Sequence, residues 1–272
     1  EAGRTTVKTA QESANALEYM ALAGWSVEDS TKALMPVLKL SAATGADLAT
    51  TSDLVTDSMA NLGLGIGDLN HYLDVSATAN NKSNQTAMQL QEAYLGVGGV
   101  LKNLNSPIEE SAAVLGVLAN RGTKGSEAGT ALNAILVNMQ KQSGDAYEAM
   151  SKLGVSMYDS SGKARSILDV FQEISDKTSG MTEENRNLMY QMIGGKSHLD
   201  SFAKIMQGFT TDTADGQKEV YSLVNAFKDC DGALDKLYGI KTDTLEGSLA
   251  TLNSAYDDMK ISIGESIAPI LK

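Results

Sequence analysis

Apolar residues recur along most of this chain at spacings of three and four, the period of a helix that buries one face. Near the start, Ala10, Ala14, Leu17, Ala21 and Gly24 follow this rhythm. Ser26-Val27-Glu28-Asp29 then predicts a helix start. Ser26 can accept from an unpaired backbone N–H, and the two acids suit the positive end of the helix dipole. Leu34, Val37, Leu38 and Ser41 line the face that follows. Pro36 lies inside that pattern, where a missing backbone donor predicts either a kink or a new helix start. Ser106-Pro107-Ile108-Glu109 predicts a second start, with Ser106 as cap, Pro107 in the first turn and Glu109 closing a capping box. Val114, Leu115, Leu118 and Ala119 form its buried stripe. Gly122 and Gly125 flank a turn, and a helix over about 127–142 points Leu132, Ile135, Leu136 and Met139 inward.

These two regions resemble each other. Setting Ser26 on Ser106 also pairs Ala33 with Ala113, Val37 with Val117, Leu38 with Leu118, Gly45 with Gly125 and Met59 with Met139. The stretch 67–95 between them again predicts helix, polar turn, helix, with the turn at Asn80-Asn81-Lys82-Ser83. Three helix pairs spaced by roughly 40 residues fall in the range of α-helical repeat arrays. The matching residues are few and common, so repeated pairs and ordinary helix packing both remain open.

The pattern changes at 154–165. Val155-Ser156-Met157-Tyr158 alternates, and Asp159-Ser160-Ser161-Gly162 is a turn in which Gly162 can take positive φ. Lys163-Ala164-Arg165 returns, which predicts a small β-hairpin before a helix over 166–178. Thr182-Glu183-Glu184 caps a helix running to Met192, and Gly194-Gly195 ends it. Helices are also expected over 198–208 and 217–228. Finally Leu245, Leu249, Leu252, Tyr256, Met259 and Ile263 make a heptad-like seam that either docks or begins a longer helix, bent at Pro269.

The expected fold is therefore mainly α: stacked helix pairs, one hairpin near 155–165 and a C-terminal heptad-like helix. We expect one region over 1–272. Its sub-units would be a helix-pair array at 1–145, hairpin plus helices at 146–244, and the C-terminal helix at 245–272. Because the pattern is already running by Ala10 and the seam at 245–263 looks unfinished, the chain is expected to be a segment of a longer protein.

Composition sharpens this picture. At 42% apolar residues the chain can bury a sizeable core, and at 5% aromatics that core must come from Leu, Ile, Val, Met and Ala. A continuous helix of 272 residues would reach roughly 400 Å at 1.5 Å per residue. Each mid-helix glycine costs about 1 kcal/mol against alanine, and the 25 glycines cluster at the predicted turns, so a folded domain is expected rather than a rod. The net charge of −12 argues against wrapping nucleic acid, which needs clustered Lys and Arg. No sequence-specific nucleic-acid binding is expected, although an acidic wall past which DNA slides stays open. No stretch approaches the ~20 apolar residues that span a bilayer. Cys230 is the one cysteine, so no intrachain disulfide can form.

The motifs that could carry chemistry fail at named positions. His71 and His198 have no second His or Cys at metal-ligand spacing, and Cys230 has no nearby His to activate it. Gly194-Gly195-Lys196-Ser197 resembles the end of a phosphate-binding loop, but that loop needs glycine where Tyr190 stands. Gly63-Leu64-Gly65-Ile66-Gly67 lacks dinucleotide-loop spacing and predicts an inter-helix turn. Asp229-Cys230-Asp231-Gly232 fails the EF-hand pattern, with Leu234 and Ile240 at the glycine and glutamate positions. Pairs such as Asp257-Asp258 suit solvated helix faces. We expect no catalytic residues, no cofactor and no metal.

The order of motifs resembles the core region of tail tape-measure proteins from long-tailed bacteriophages and prophages. Gly24-Trp25-Ser26-Val27-Glu28-Asp29 with Ala33-Leu34, Ala42-Ala43-Thr44-Gly45-Ala46-Asp47-Leu48, Leu62-Gly63-Leu64 and Ser106-Pro107-Ile108-Glu109-Glu110 carry the likeness. Its most specific part is Leu115-Gly116-Val117-Leu118-Ala119-Asn120-Arg121-Gly122, then Gly125-Ser126-Glu127-Ala128-Gly129-Thr130-Ala131-Leu132. Leu153-Gly154-Val155, Asp159 and Gly162 match the family's hairpin, and Ile263-Gly264-Glu265-Ser266-Ile267-Ala268-Pro269 its region end. Ile193-Gly194-Gly195 stands where the family often has an aromatic-glycine step, a small departure.

The resemblance implies a non-enzymatic virion protein inside the tail tube. Such a protein sets tail length during assembly in the host cytoplasm and helps deliver the genome through the host envelope. It implies contact with tail tube protein, tail assembly chaperones, tail tip proteins and further copies of itself, and membrane contact outside this segment. The competing expectations are a helical scaffold or adaptor unrelated to phages, and a cell-wall hydrolase, for which no constellation of residues is present.

Overall fold

The computed structural model describes residues 9–244 and 253–256. The predicted seam at 245–263 lies outside them except for Tyr256, which is exposed. Contacts group the described residues into two compact units. One takes in residues 9–60, 64–77, 232–244 and 253–256; the other takes in Asn61–Gly63 and Thr78–Asp231.

In the first unit, α1 (Ala10–Leu22) starts at a complete capping box. The Thr9 hydroxyl accepts from the Glu12 N–H at 3.2 Å, and the Glu12 carboxylate accepts from the Thr9 N–H at 2.8 Å. The expected stripe of Ala14 and Ala21 is displaced: both are exposed, and Ser13, Ala16 and Met20 face inward. Met20 is the large side chain of this helix that is fully buried, while Leu17 is half-buried and Tyr19 and Leu22 are exposed. α2 (Val27–Thr44) begins at Ser26, whose hydroxyl accepts from the Asp29 N–H at 3.0 Å, as the sequence predicts. It runs through Pro36 without a new start and ends at Gly45, whose φ of 73° is the left-handed conformation that closes helices. Asp47 opens α3 (Leu48–Leu62) by accepting from the Thr50 N–H at 2.9 Å. A 3₁₀ turn at Ile66–Asp68 gives the expected glycine-rich turn a defined form and leads into α4 (Leu69–Lys82). Ser58 of α3 and Tyr72 of α4 share a buried hydroxyl–hydroxyl bond.

The second unit is built around one helix. α5 (Ala87–Asn103) starts at a Thr86–Gln89 capping box, after a turn at 83–86. That turn lies three residues beyond the predicted one because α4 continues through Lys82. α6 (Ile108–Asn120) starts one residue later than expected: its cap is Pro107, with no side-chain bond, and Ser106 lies outside it. Every residue from Ser111 to Ala119 is buried, so α6 is apolar on all sides and not along one stripe. α5, α7 (Gly125–Met139), α9 (Ile167–Thr178), α11 (Leu199–Gly208) and α12 (Glu219–Lys228) pack against it. α8 (Asp145–Leu153) and α10 (Glu183–Gly194) complete this unit. α13 (Ala233–Thr242) packs on α2 in the first unit.

Glycines let α5 and α7 approach closely. A Cβ on Gly129 would lie 2.1 Å from the Ala93 carbonyl oxygen, inside any permitted contact, and one on Gly96 would lie 3.3 Å from the Gly129 carbonyl carbon. Phenylalanine, although rare, is concentrated elsewhere. Phe171, Phe202, Phe209 and Phe227 are all buried, and Phe171 packs edge-on to Phe202 with ring centres 6.2 Å apart. Leu, Ile, Val, Met and Ala fill most of the core, as the composition requires, but the side of α6 facing α9 and α11 has this aromatic centre.

Candidate functional site: a central helix anchored at both ends

α8–α9 and α11–α12 are joined by loops of the same geometry. Each loop is closed by an isolated antiparallel bridge, Tyr158 with Ala164 in the first and Asp212 with Lys218 in the second. The Asp159 N–H donates to the Lys163 carbonyl at 2.9 Å, and the Thr213 N–H donates to the Gln217 carbonyl at 2.8 Å. Gly162 and Gly216 stand at the same place in each, with φ of 80° and 77°. The first loop holds the predicted hairpin residues as a single bridge, not a strand ladder. The second carries little alternation in sequence. Its corresponding glycine is the local signal that could have found it.

At the tips, side chains replace missing backbone bonds. The Asp159 carboxylate accepts from the Ser161 N–H, the Ser161 hydroxyl and the Lys163 N–H, at 2.8, 2.7 and 3.0 Å. The Ser161 hydroxyl foremost, then the Lys163 N–H, holds that carboxyl below the usual range. Asp215 is held low in the same way, first by Thr213 and then by the Gln217 N–H.

α6 anchors one copy of this module at each end. Near its start, the Glu110 carboxylate accepts from the hydroxyl of Ser166, the cap of α9, at 2.9 Å. Burial pushes Glu110 above the usual carboxylate range, against the lowering effect of Ser166 and the Leu168 N–H. At its far end, the Arg121 guanidinium pairs with Glu219, the first residue of α12, at 2.6 Å, with the two side chains only 16% and 13% exposed. Arg121 also donates to the Gln207 side chain at 2.8 Å and to the Val117 carbonyl at 3.0 Å. The latter bond places its positive charge on the negative end of α6. Asn120 donates to Glu219 at 2.7 Å and accepts from the Asn84 N–H at 2.8 Å, which ties the 83–86 turn to the same point.

Lys82, Asn120, Arg121, Thr211, Thr213, Glu219, Ser222 and Leu223 line a cleft of about 470 Å³ here. Arg121 and Glu219 bond each other and the helix ends. The arrangement supplies attachment between helices and sets no nucleophile against a base. Close contacts support the same packing. A Cβ on Gly208 would lie 2.7 Å from Val117, and one on Gly116 would lie 3.1 Å from Leu223.

The other sequence candidates do not converge. His71 lies in α4 and His198 in the 3₁₀ turn Lys196–His198, while Cys230 is buried after α12. Among the described residues no group of three or more His, Cys, Asp or Glu is placed to hold a metal ion. No described helix is long and apolar enough to cross a membrane.

The family described as phage-related minor tail protein matches residues 1–195. A curated tape measure protein of Pneumococcus phage Dp-1 is 28% identical over 185 residues, a stretch that covers 68% of this chain and 16% of that protein. The chain thus spans about one sixth of the length of that relative. No solved structure matches it. The family match takes in α6 whole, with Glu110, Asn120 and Arg121, and the Gly96 and Gly129 contacts; it stops before Gln207 and Glu219. This family is one of structural tail proteins, and with well over half of its length matched the chain belongs to the phage-related minor tail proteins.

Proposed function

We propose that this chain is the folded helical region of a tail tape measure protein. In this reading the whole protein lies in the tail lumen of the virion, sets tail length during assembly in the host cytoplasm, and takes part in passing the genome through the host envelope. Its partners are the tail tube protein, the tail assembly chaperones, the tail tip proteins and other copies of itself. Its work is done by helix packing and surface contact, not by catalysis.

The observation that carries this reading is the family match over 1–195, because the matched stretch holds the residues that pack α5, α6 and α7 together. Glycines with no room for a side chain and a charged clasp at a helix end are features of a part whose shape is its contribution. The expected C-terminal heptad-like helix belongs to the same proposal, as the start of the longer helical remainder.

The test is to purify virions of the encoding phage and separate tails from heads. Peptides from 9–244 should be recovered with the tails and be missing from tail-less particles. Their recovery with heads alone, or their absence from virions, would refute the reading.

A further inference from the structure

The two units bury different chemistry. On α3, four of the seven buried side chains end in hydroxyls: Thr51, Ser52, Thr56 and Ser58. α1, α2 and α4 add Ser13, Ser30, Ser41 and Ser76 to the same interior. Among the described residues, Tyr72 is the one aromatic side chain buried in this unit. In the second unit, Ser111 is the sole hydroxyl in the buried run 111–119 of α6, and four phenylalanines are buried.

Most of the hydroxyls of α3 and α4 bond within their own helix or its cap. Thr51 donates to the Asp47 carbonyl at 2.7 Å, Ser52 to the Leu48 carbonyl at 2.8 Å, Thr56 to the Asp53 carbonyl at 2.9 Å and Ser76 to the Tyr72 carbonyl at 2.9 Å. Ser58 bonds the Leu54 carbonyl as well as the Tyr72 hydroxyl, so of these it alone links α3 to α4. The Ser30 hydroxyl is buried without a partner among the described residues. A hydroxyl bonded to the preceding turn does nothing to hold its helix against the next, and it takes the place of a methyl group that would add apolar burial. Such a bond survives when neighbouring helices ease apart, so little is left unpaired. The contact of Phe171 on α9 with Phe202 on α11 has no such independence, because it exists only while the two helices stay packed.

We propose that the first unit is a loosening element: it gives up its side-chain packing while its helices stay formed, under conditions in which the second unit remains packed. The loosened state is compact and helical, and it exposes apolar surface that the packed state hides. The proposal needs nothing from the tail-length reading, and a failure of either leaves the other standing.

Trp25 makes the test possible. It is the one tryptophan of the chain, half-buried between α1 and α2, so its fluorescence reports packing of the first unit alone. Far-UV circular dichroism reports helix in both units. In a urea titration of the whole chain, Trp25 should pass its midpoint at least about 1 M below the far-UV midpoint, with most of the helical signal still in place. Coincident transitions would overturn the proposal. A helical signal that drops with Trp25 by the first unit's share would also overturn it, because the helices would then melt with their packing. Thr51→Val supplies a second measurement. It removes one buried hydroxyl and strands nothing, since the Asp47 carbonyl keeps the backbone N–H of position 51 at 2.9 Å. The Trp25 midpoint should rise toward the far-UV midpoint, which stays where it was. A Trp25 midpoint unmoved by this change on α3 would mean that Trp25 follows fraying of α1 only, and would count against the proposal.

Discussion

The Arg121 guanidinium meets the Glu219 carboxylate at 2.6 Å across 98 positions of sequence, at the point where α6 ends and α12 begins. Both side chains are largely withdrawn from water, so neither charge is well solvated without the other. Arg121→Ala should lower unfolding stability by roughly 3 kcal/mol, most of it from the stranded Glu219 carboxylate. Replacing both, Arg121→Met with Glu219→Leu, should recover much of that loss. Urea unfolding of the two variants decides it. A loss under about 0.5 kcal/mol for Arg121→Ala would show the pair to be a surface contact.

Glycine has opposite meanings at two positions of one helix pair. Gly129 lies where a Cβ would come within 2.1 Å of the Ala93 carbonyl oxygen, a backbone atom that cannot swing away. Gly99, on the exposed side of α5, has nothing within 4 Å of the same added atom. Gly129→Ala should cost about 3 kcal/mol or more, through forced separation of α5 and α7. Gly99→Ala should add about 0.5–1 kcal/mol by favouring the helix. Thermal unfolding of both variants should show shifts of opposite sign; two shifts of the same sign would mean that the helices do not approach as described.

Which parts of this arrangement were legible beforehand follows from the range of the forces involved. Helix starts set by a local cap, at Ser26 and Thr182, are written in neighbouring residues and agree with the structure. The sequence analysis predicts no helix at α8, although Ala146, Ala149, Met150 and Leu153 carry the helical spacing and Gly154 closes it at φ 70°. α13 has no local signature: Leu234 and Leu237 are its buried side chains, and the groups that fix it, Asp74 and Lys39, lie far away in the chain. The local pattern around Leu115 and Leu118 predicts one buried stripe. That α6 is enclosed on every side depends on five other helices, which no local pattern records. The Asn120–Arg121 step stands out in the sequence only through its resemblance to a family. Its role as a clasp needs Gln207 and Glu219, which carry no local mark.

Glu110 makes the protein's stability respond to mild acid. Burial raises its carboxyl, with the Asp169 charge adding to the effect, and the Ser166 hydroxyl, the Leu168 N–H and Lys228 opposing it. A carboxyl raised in the folded state binds its proton more tightly there than in the unfolded chain. Its contribution to stability is complete below the ordinary carboxylate value of 4.5 and is lost as pH rises through the raised value. Glu110→Gln keeps an oxygen to accept from Ser166 but has no proton to lose. The stability difference between variant and parent should therefore favour the variant increasingly as pH rises from 4 toward 7, in urea midpoints taken across about that range. A difference that is flat with pH, or that shrinks, would remove Glu110 as the cause.

The central claim is that this region acts in the tail as packed helices and not as extended chain. Tail length in electron micrographs tests it most directly, in a phage whose tail protein carries a second in-frame copy of Thr78–Asp231. As continuous helix the inserted residues would lengthen the tail by roughly 230 Å at 1.5 Å per residue. A folded unit of that size is only about 40 Å across. We expect tails lengthened by no more than that smaller distance; tails lengthened by the full helical span would contradict the account.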